Sequence, residues 1–386
     1  MSDYLPGLAG VPATKSNISD IDGEKGVLYY RGYPIEQLAE HSSFEETTML
    51  LLDGELPTAS ALKEFSRQLR KNRWVKFHIK ELMKTLPATG HPMDMLQTAA
   101  ASLSMFYPSK DCLTAGGSGC EDINYVHNMT VKIISSIGTV VAMWEHLRNG
   151  YEPPGPRPDL SHAENFLYMF TREEPDPLLA HIMDVCLILH AEHTINASTF
   201  STLVTSSTLA SPYSVIAAAI GTLSGPLHGG ANQRVLEMLQ EIGSPDRAEA
   251  YVEKRLANKQ VVWGMGHREY KTKDPRATIL QGLVAKLMEA RGGKVNPLME
   301  IAMAVEKAAE ERLGHKGVYA NVDFYSGILY HEMGIPADQF TAVFAMARAA
   351  GWLSHWREQL GDNRIFRPTQ VYTGRPPRDY IPLEKR

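Results

Sequence analysis

Apolar residues recur along this chain at intervals of three and four, the spacing that lines one face of an α-helix. Leu96, Ala99, Ala100 and Leu103 share such a face. So do Ile133, Ile137, Val141 and Trp144, and further on Leu280, Leu283, Val284 and Leu287. Helix starts are marked as regularly. A capping residue followed by proline opens an apolar-periodic run at Asp176-Pro177, Ser211-Pro212, Ser244-Pro245, Asp274-Pro275 and Asn296-Pro297. The side-chain oxygen satisfies a free amide, and proline in the first turn gives up no hydrogen bond. SFEE (43–46) has the spacing of a capping box. Stops fall at Gly54, Gly150, Gly243 and Gly314. Strand signal is confined to GVLYYRG (26–32), which reads as one arm of a small hairpin. Neither the strand–helix alternation of a doubly wound fold nor a repeat of fixed period is visible. The pattern predicts an all-α protein of many helices. NGYEPPGPRPDLSHAENF (149–166) reads as an insertion between helices, because apolar helices continue on both sides.

Composition narrows the function classes. The chain has 386 residues, enough for one large or two medium domains. A net charge of −5 and an isoelectric point near 6.3 give no electrostatic case for nucleic acid. No apolar run reads as long enough to span a bilayer, and MSDYLPGLAG has no secretory-leader pattern. Cys112, Cys120 and Cys186 form no disulfide framework, which fits a reducing cytoplasm.

Several chemical templates fail. GMGHRE lacks the third glycine of a dinucleotide fingerprint, and AGGSGC (115–120) lacks the Lys of a phosphate loop. HGGA hints at a lipase oxyanion loop, but no Gly-x-Ser-x-Gly supplies a nucleophile. His190 and His193 lie three apart on one helical face; two ligands do not make a zinc site, and buried, hydrogen-bonded histidines are the plainer reading. What remains is a set of polar residues in unusual settings. In GPLHGGANQ (225–233), His228 precedes a helix start, where the positive helix end keeps an imidazole neutral and able to donate. Equally, it could only cap the loop. In VVWGMGHREYKTKDPRA (261–277), two glycines precede His267. Arg276 opposes the dipole in a first helical turn, a placement that an anionic ligand would explain and that an exposed basic loop would also produce. In NVDFYSG (321–327), Asp323 sits among Val322, Phe324 and Tyr325, either as a desolvated base or as an N-cap. Arg348 lies in FTAVFAMARAAGW, where a buried arginine wants a carboxylate and an edge position would need none.

Together these segments resemble the citrate synthase family. GPLHGGANQ, GHREYKTKDPRA and NVDFYSG stand in the family's order and at about its spacing. Residues 7–39, HPMDMLQTAAASL (91–103) and NRIFRPTQVYTG (363–374) are also similar, so the likeness runs over essentially the whole chain. The chain begins where the shorter bacterial and archaeal forms begin and shows no additional N-terminal strand-rich segment of the kind found in the larger, NADH-regulated bacterial forms, so the resemblance does not extend to NADH regulation.

The resemblance implies a nearly all-helical homodimer. The large domain would comprise residues 1–222 and 331–386, the small one residues 223–330, with a closing cleft between them. It implies a cytoplasmic enzyme of the tricarboxylic acid cycle that condenses acetyl-CoA with oxaloacetate. Asp323 would be the base, His228 the donor to the thioester oxygen, and His267 the donor to the oxaloacetate carbonyl. Arg276 and Arg348 would hold oxaloacetate carboxylates, with Arg367 supplied across the dimer, and His193 would be a further oxaloacetate-binding residue. Val262, Gly264, Met265, Gly266 and Asn321 would line the coenzyme A path, and Lys316, Lys271 and Lys273 could meet its phosphates. No metal and no tightly bound cofactor is implied; the coenzyme A thioester enters as substrate. The nearest alternative is 2-methylcitrate synthase acting on propionyl-CoA. A non-catalytic helical scaffold and a histidine-based metallohydrolase stand further off.

Overall fold

The computed structural model describes residues 4–107, 122–293 and 296–386. Cys112, Cys120 and AGGSGC lie outside the described residues. The one sheet among them is small and antiparallel, with strands β1 (Ser19–Asp22), β2 (Val27–Tyr30) and β3 (Tyr33–Pro34) in that order. GVLYYRG is therefore its central strand, paired on both sides. Sixteen α-helices follow: α1 (Ile35–His41), α2 (Phe44–Asp53), α3 (Ala59–Lys71), α4 (Phe77–Thr85), α5 (Pro92–Leu103), α6 (Ile123–Arg148), α7 (His162–Thr171), α8 (Pro177–Ala191), α9 (Ala197–Ser207), α10 (Pro212–Leu223), α11 (Ala231–Ile242), α12 (Ala248–Ala257), α13 (Pro275–Ala290), α14 (Pro297–Leu313), α15 (Val322–Glu332) and α16 (Phe340–Gly361). The expected all-α class holds, with this one sheet as an accessory.

The three periodic faces read from the sequence are all buried. Asp176, Ser211, Asp274 and Asn296 each accept a backbone N–H at their helix start, as the Asp/Ser/Asn-Pro signal predicts. Ser244 does not; Pro245 opens a short 3-10 turn instead. Ser43 caps α2, but Glu46 turns to the Ser42 hydroxyl, so that capping box is half made. The complete box is Ser161 with Glu164, inside the segment that reads as a loop. Gly54 and Gly243 end helices in the left-handed conformation, whereas Gly314 begins a 3-10 turn and the left-handed stop is Gly317.

Helix α6 corrects the expectation about apolar runs. By length and composition it could cross a bilayer, yet most of its apolar window is buried inside the protein. It is a core helix. It packs with α16, which also touches α2, α8, α9 and α10. Helices α11 to α15 pack largely on one another: α11 on α14 and α15, α12 on α14, α13 on α15. Contacts of α13 with α1 and α8, and of α11 with α16, join the two groups. These junctions are where the candidate residues collect.

Near the start of α2, the Asp184 carboxylate accepts the Phe44 N–H at 3.1 Å. Burial, and then the neighbouring Glu45, hold its proton affinity well above the usual carboxylate range. The unfolded chain releases this proton near pH 4, while the native state retains it, so stability is lost as pH rises from there toward neutrality. Asp184→Asn keeps the acceptor and removes the ionisation. Its melting temperature should match wild type near pH 4 and exceed it by a few degrees at pH 7.5. Parallel melting curves at every pH would refute this.

Candidate active site

The ring of His228 does not face its own helix. Helix α11 begins three residues later, capped by Gly230. The Nε2 atom instead sits at the start of α9, where it accepts the Ser198 backbone N–H at 3.2 Å. A backbone N–H can only donate, so with Nε2 as its acceptor the proton lies on Nδ1, and the Ser198 hydroxyl, 2.9 Å from the same nitrogen, donates to it as well. Burial, and then Arg348, lower the pKa of this histidine to about 4. The positive end of α9 acts in the same sense. His228 is thus a neutral Nδ1–H donor, the state expected from the sequence, imposed by a different helix. Ser198 is fixed in turn by Trp352, whose indole N–H donates to its hydroxyl at 3.2 Å.

His267 has the opposite tautomer. Its Nδ1 accepts the Glu269 N–H at 3.0 Å, which leaves the proton on Nε2. Burial, and then Arg276, lower its pKa to about 4. Its ring stands 5.0 Å from that of His193, edge to face. His193 is buried, held neutral by burial and then Arg276, and bonded through Nε2 to the Tyr270 hydroxyl at 3.1 Å. His190 bonds Tyr330 through Nδ1. Each of the pair thus has a separate tyrosine partner, and among the described residues no group of three or more His, Cys, Asp or Glu side chains could hold a metal ion.

Asp323 is the second residue of α15, and Asn321 does the capping by accepting the Asp323 N–H. The carboxylate makes no hydrogen bond to any described residue. Burial raises its pKa to about 6, against the pull of Arg276 and Arg348. Asn321, not Asp323, is the cap, and the Asp323 carboxylate is desolvated. Asn321 is also spent as a ligand group: its amide donates to Gly266 O at 2.8 Å while its oxygen caps α15. With Gly266 N–H to Tyr319 O at 2.7 Å and Asn321 N–H to Gly264 O at 2.9 Å, it lashes residues 264–266 to 319–321. Met265 bridges Ala320 in the same place, and Val262 is buried as packing. Gly264 has φ +77°, and a Cβ there would stand 2.8 Å from the Phe324 ring. The glycine lets the His267 loop lie against the helix that bears Asp323.

The two buried arginines differ. Arg276 donates from Nε and Nη2 to the two oxygens of Asp274, at 3.0 and 2.8 Å. The placement that suggested an anionic ligand is explained first by this internal partner. Arg348 donates Nε–H to His190 O at 2.6 Å and stacks on Phe344. It has no ion-pair partner among the described residues; burial lowers its guanidinium to about 10, and Glu192 opposes that drop. Arg367 is exposed, and its Nη1 donates to Pro368 O beside a groove lined by Leu8, Phe200 and Val204. It is not brought to the cluster within this chain. Lys316 and Lys271 are exposed. Lys273 is withdrawn, paired with buried Glu306 at 2.6 Å.

Sequence reading missed Ser198, Tyr270 and the pairing role of Asp274. Ser198 lies 30 residues from the ring it fixes, with no local signal. Asp274 was visible only as a cap, although an aspartate two residues before an arginine at a helix start can bond it.

A family profile described as "Citrate synthase, C-terminal domain" matches residues 7–369. A protein named citrate synthase from Acidithiobacillus ferridurans is 59% identical over 386 residues, all of this chain and 99% of the relative. The crystal structure of citrate synthase from Pyrobaculum aerophilum superposes with a TM-score of 0.91 at 41% identity, covering 98% of this chain and 95% of that one. The Thermoplasma acidophilum enzyme, whose structure is titled a ternary complex with carboxymethyl coenzyme A and oxaloacetate, gives 0.90 at 31% identity, covering 98% of both. With a matching profile over most of its length and relatives similar from end to end, the chain belongs to the citrate synthase family.

Proposed function

We propose that the protein condenses acetyl-CoA with oxaloacetate and water to give citrate and coenzyme A. The observation that carries this reading is the proton inventory of the cluster. His228 presents Nδ1–H, His267 presents Nε2–H, both neutral, and Asp323 is a carboxylate of raised basicity. Carbon–carbon bond formation needs all three. Asp323 takes a proton from the acetyl methyl group. The His228 Nδ1–H bonds the thioester oxygen as it gains charge, so an enol or enolate forms. Its carbon attacks the oxaloacetate ketone, and His267 gives its Nε2 proton to the oxygen that becomes the citrate hydroxyl. Water then cleaves the citryl thioester and releases coenzyme A.

Oxaloacetate brings two carboxylates. Arg348, buried without an ion partner, supplies one guanidinium, and the Nη1 that Asp274 leaves free on Arg276 supplies another. Arg367 acts across a homodimer in this proposal, since its own chain leaves it exposed. Lys271 and Lys316 meet coenzyme A phosphates at the cleft rim, while Lys273 drops out of that role. Residues 223–330 act as the small domain, closing on the remainder. The reaction belongs to the tricarboxylic acid cycle and is placed in the cytoplasm.

Thiol release should be rapid with acetyl-CoA, require oxaloacetate, and persist in chelator. One methylene is worth only about 1–3 kcal/mol of discrimination, so propionyl-CoA should be slower yet measurable. Faster release from propionyl-CoA would favour 2-methylcitrate synthesis, and none from either would favour a scaffold.

Asp323→Asn and His228→Ala should each reduce kcat by roughly 10²–10⁴-fold, while calorimetry still detects oxaloacetate binding. A variant of either kind with near-normal turnover would strip that residue of its role.

The pH profile follows from the same groups. Asp323 works ionised, so kcat/KM should fall as pH drops through about 6. The two histidines, neutral down to about 4, add no limb above that. An acid limb first appearing near 4 would contradict the raised basicity of Asp323.

A further inference from the structure

Each of the two donor histidines has one ring nitrogen occupied by a protein N–H and the other left carrying the proton. His193 follows the same rule with a different partner. Its Nε2 meets the Tyr270 hydroxyl at 3.1 Å, with both side chains buried. The ring of Tyr270 also packs 4.8 Å from that of His267 and 5.6 Å from that of His193, so one aromatic side chain touches two histidines of the cluster. Which group donates can be decided by elimination. The Tyr270 hydroxyl makes no other hydrogen bond to a described residue. Were His193 to donate, the hydroxyl hydrogen would be buried without an acceptor, which is costly. Tyr270 therefore donates, Nε2 accepts, and the His193 proton resides on Nδ1. The phenol stays protonated, because burial raises its proton affinity.

We infer that Tyr270 is a positioning residue for oxaloacetate, acting through His193: its hydroxyl occupies Nε2 and so fixes the tautomer and orientation of that ring beside His267. This rests on the proposed function for the identity of the substrate, though not for the tautomer itself.

Both partners are held by one piece of scaffold. The turn between β1 and β2 accepts the Lys271 N–H at Gly23 O, 2.9 Å, next to Tyr270. A Cβ on Gly23 would stand 2.0 Å from Glu269 O, so only glycine allows that approach. On the other side the Tyr30 hydroxyl bonds the backbone of Glu192, and the Ser19 hydroxyl accepts the Thr194 N–H at 3.1 Å. Residues 192–194 and 269–271 thus hang from the same three-stranded sheet and its turn.

The test is Tyr270→Phe in the full-length protein, which keeps the ring packing. KM for oxaloacetate should rise roughly tenfold, the loss of one buried hydrogen bond, with kcat and the KM for acetyl-CoA within about twofold. In a double-mutant cycle with His193→Ala, the second substitution should add little, because the hydroxyl acts through the imidazole. Independent of turnover, ¹⁵N spectra of histidine-labelled wild type should give His193 a bare Nε2 and a protonated Nδ1, and the variant should lose that pattern. A protonated Nε2 in wild type, an unchanged KM, or fully multiplicative losses in the cycle would each overturn the assignment. Absence of oxaloacetate-dependent turnover in wild type would instead count against the proposed function, with the spectra still deciding the tautomer.

Discussion

One buried carboxylate organises the site. Asp274 accepts from the backbone and Nε of Arg276 with one oxygen and from Arg276 Nη2 and the Val322 N–H with the other. It caps α13, holds the arginine in a single orientation, and draws the first residue of α15 to the same point. Asp323 is the next residue, so its position follows from that bond. Burying an ion pair carries a heavy desolvation cost, and removing one partner leaves the other charge stranded. Here the carboxylate is nearly saturated with donors, which offsets that cost. The arrangement is an expensive way to stabilise a protein and an effective way to fix Arg276 and Asp323 relative to one another.

The same region balances charge with care. Arg276 and Arg348 are both buried, and both lower the proton affinity of the histidines around them. Burial first, and then these cations, keep the imidazoles neutral, which is the form that both donates and accepts. Asp323 feels the same cations in the opposite direction to its burial, and burial prevails. A single electrostatic environment thus leaves two imidazoles neutral and a carboxylate of raised basicity. Glu192, buried and bonded to His355 at 3.1 Å and to Ser19, tempers Arg348 without pairing with it directly. Beyond the Nε–H given to His190 O, the Nη groups of the guanidinium keep their donors.

How much of this was legible depended on range. Helix faces, most caps and the three motif-bearing loops are local, and the chain spells them out. The neutrality of His228 was legible too, but the helix responsible is α9, reached across 30 residues, and no pattern within GPLHGGANQ could disclose it. Arg276 drew attention because it opposed a helix dipole; its actual partner lay two residues away and was taken only for a cap. Lys273 looked like part of a basic loop, yet it meets a buried glutamate on α14. In each case residue type announced that something unusual was present, and only tertiary contact determined which partner satisfied it.

The N-terminal sheet shows the same limit in another form. Three short strands in a helical protein look incidental, and from sequence they were noted as half a hairpin. Their value lies in what they touch. Tyr30 is fully buried and its hydroxyl engages the end of α8 and the backbone beyond it, where Thr194 is held at φ +51°. A β-branched residue in that conformation is strained, and the Ser19 hydroxyl on its N–H compensates. The turn of the same sheet braces residues 269–271, which follow His267. A rigid, hydrogen-bonded ribbon is suited to this, since a loop would leave the two histidine segments free to drift apart. Catalytic geometry tolerates little such drift, so a sheet of this size can matter more to the reaction than to the stability of the fold.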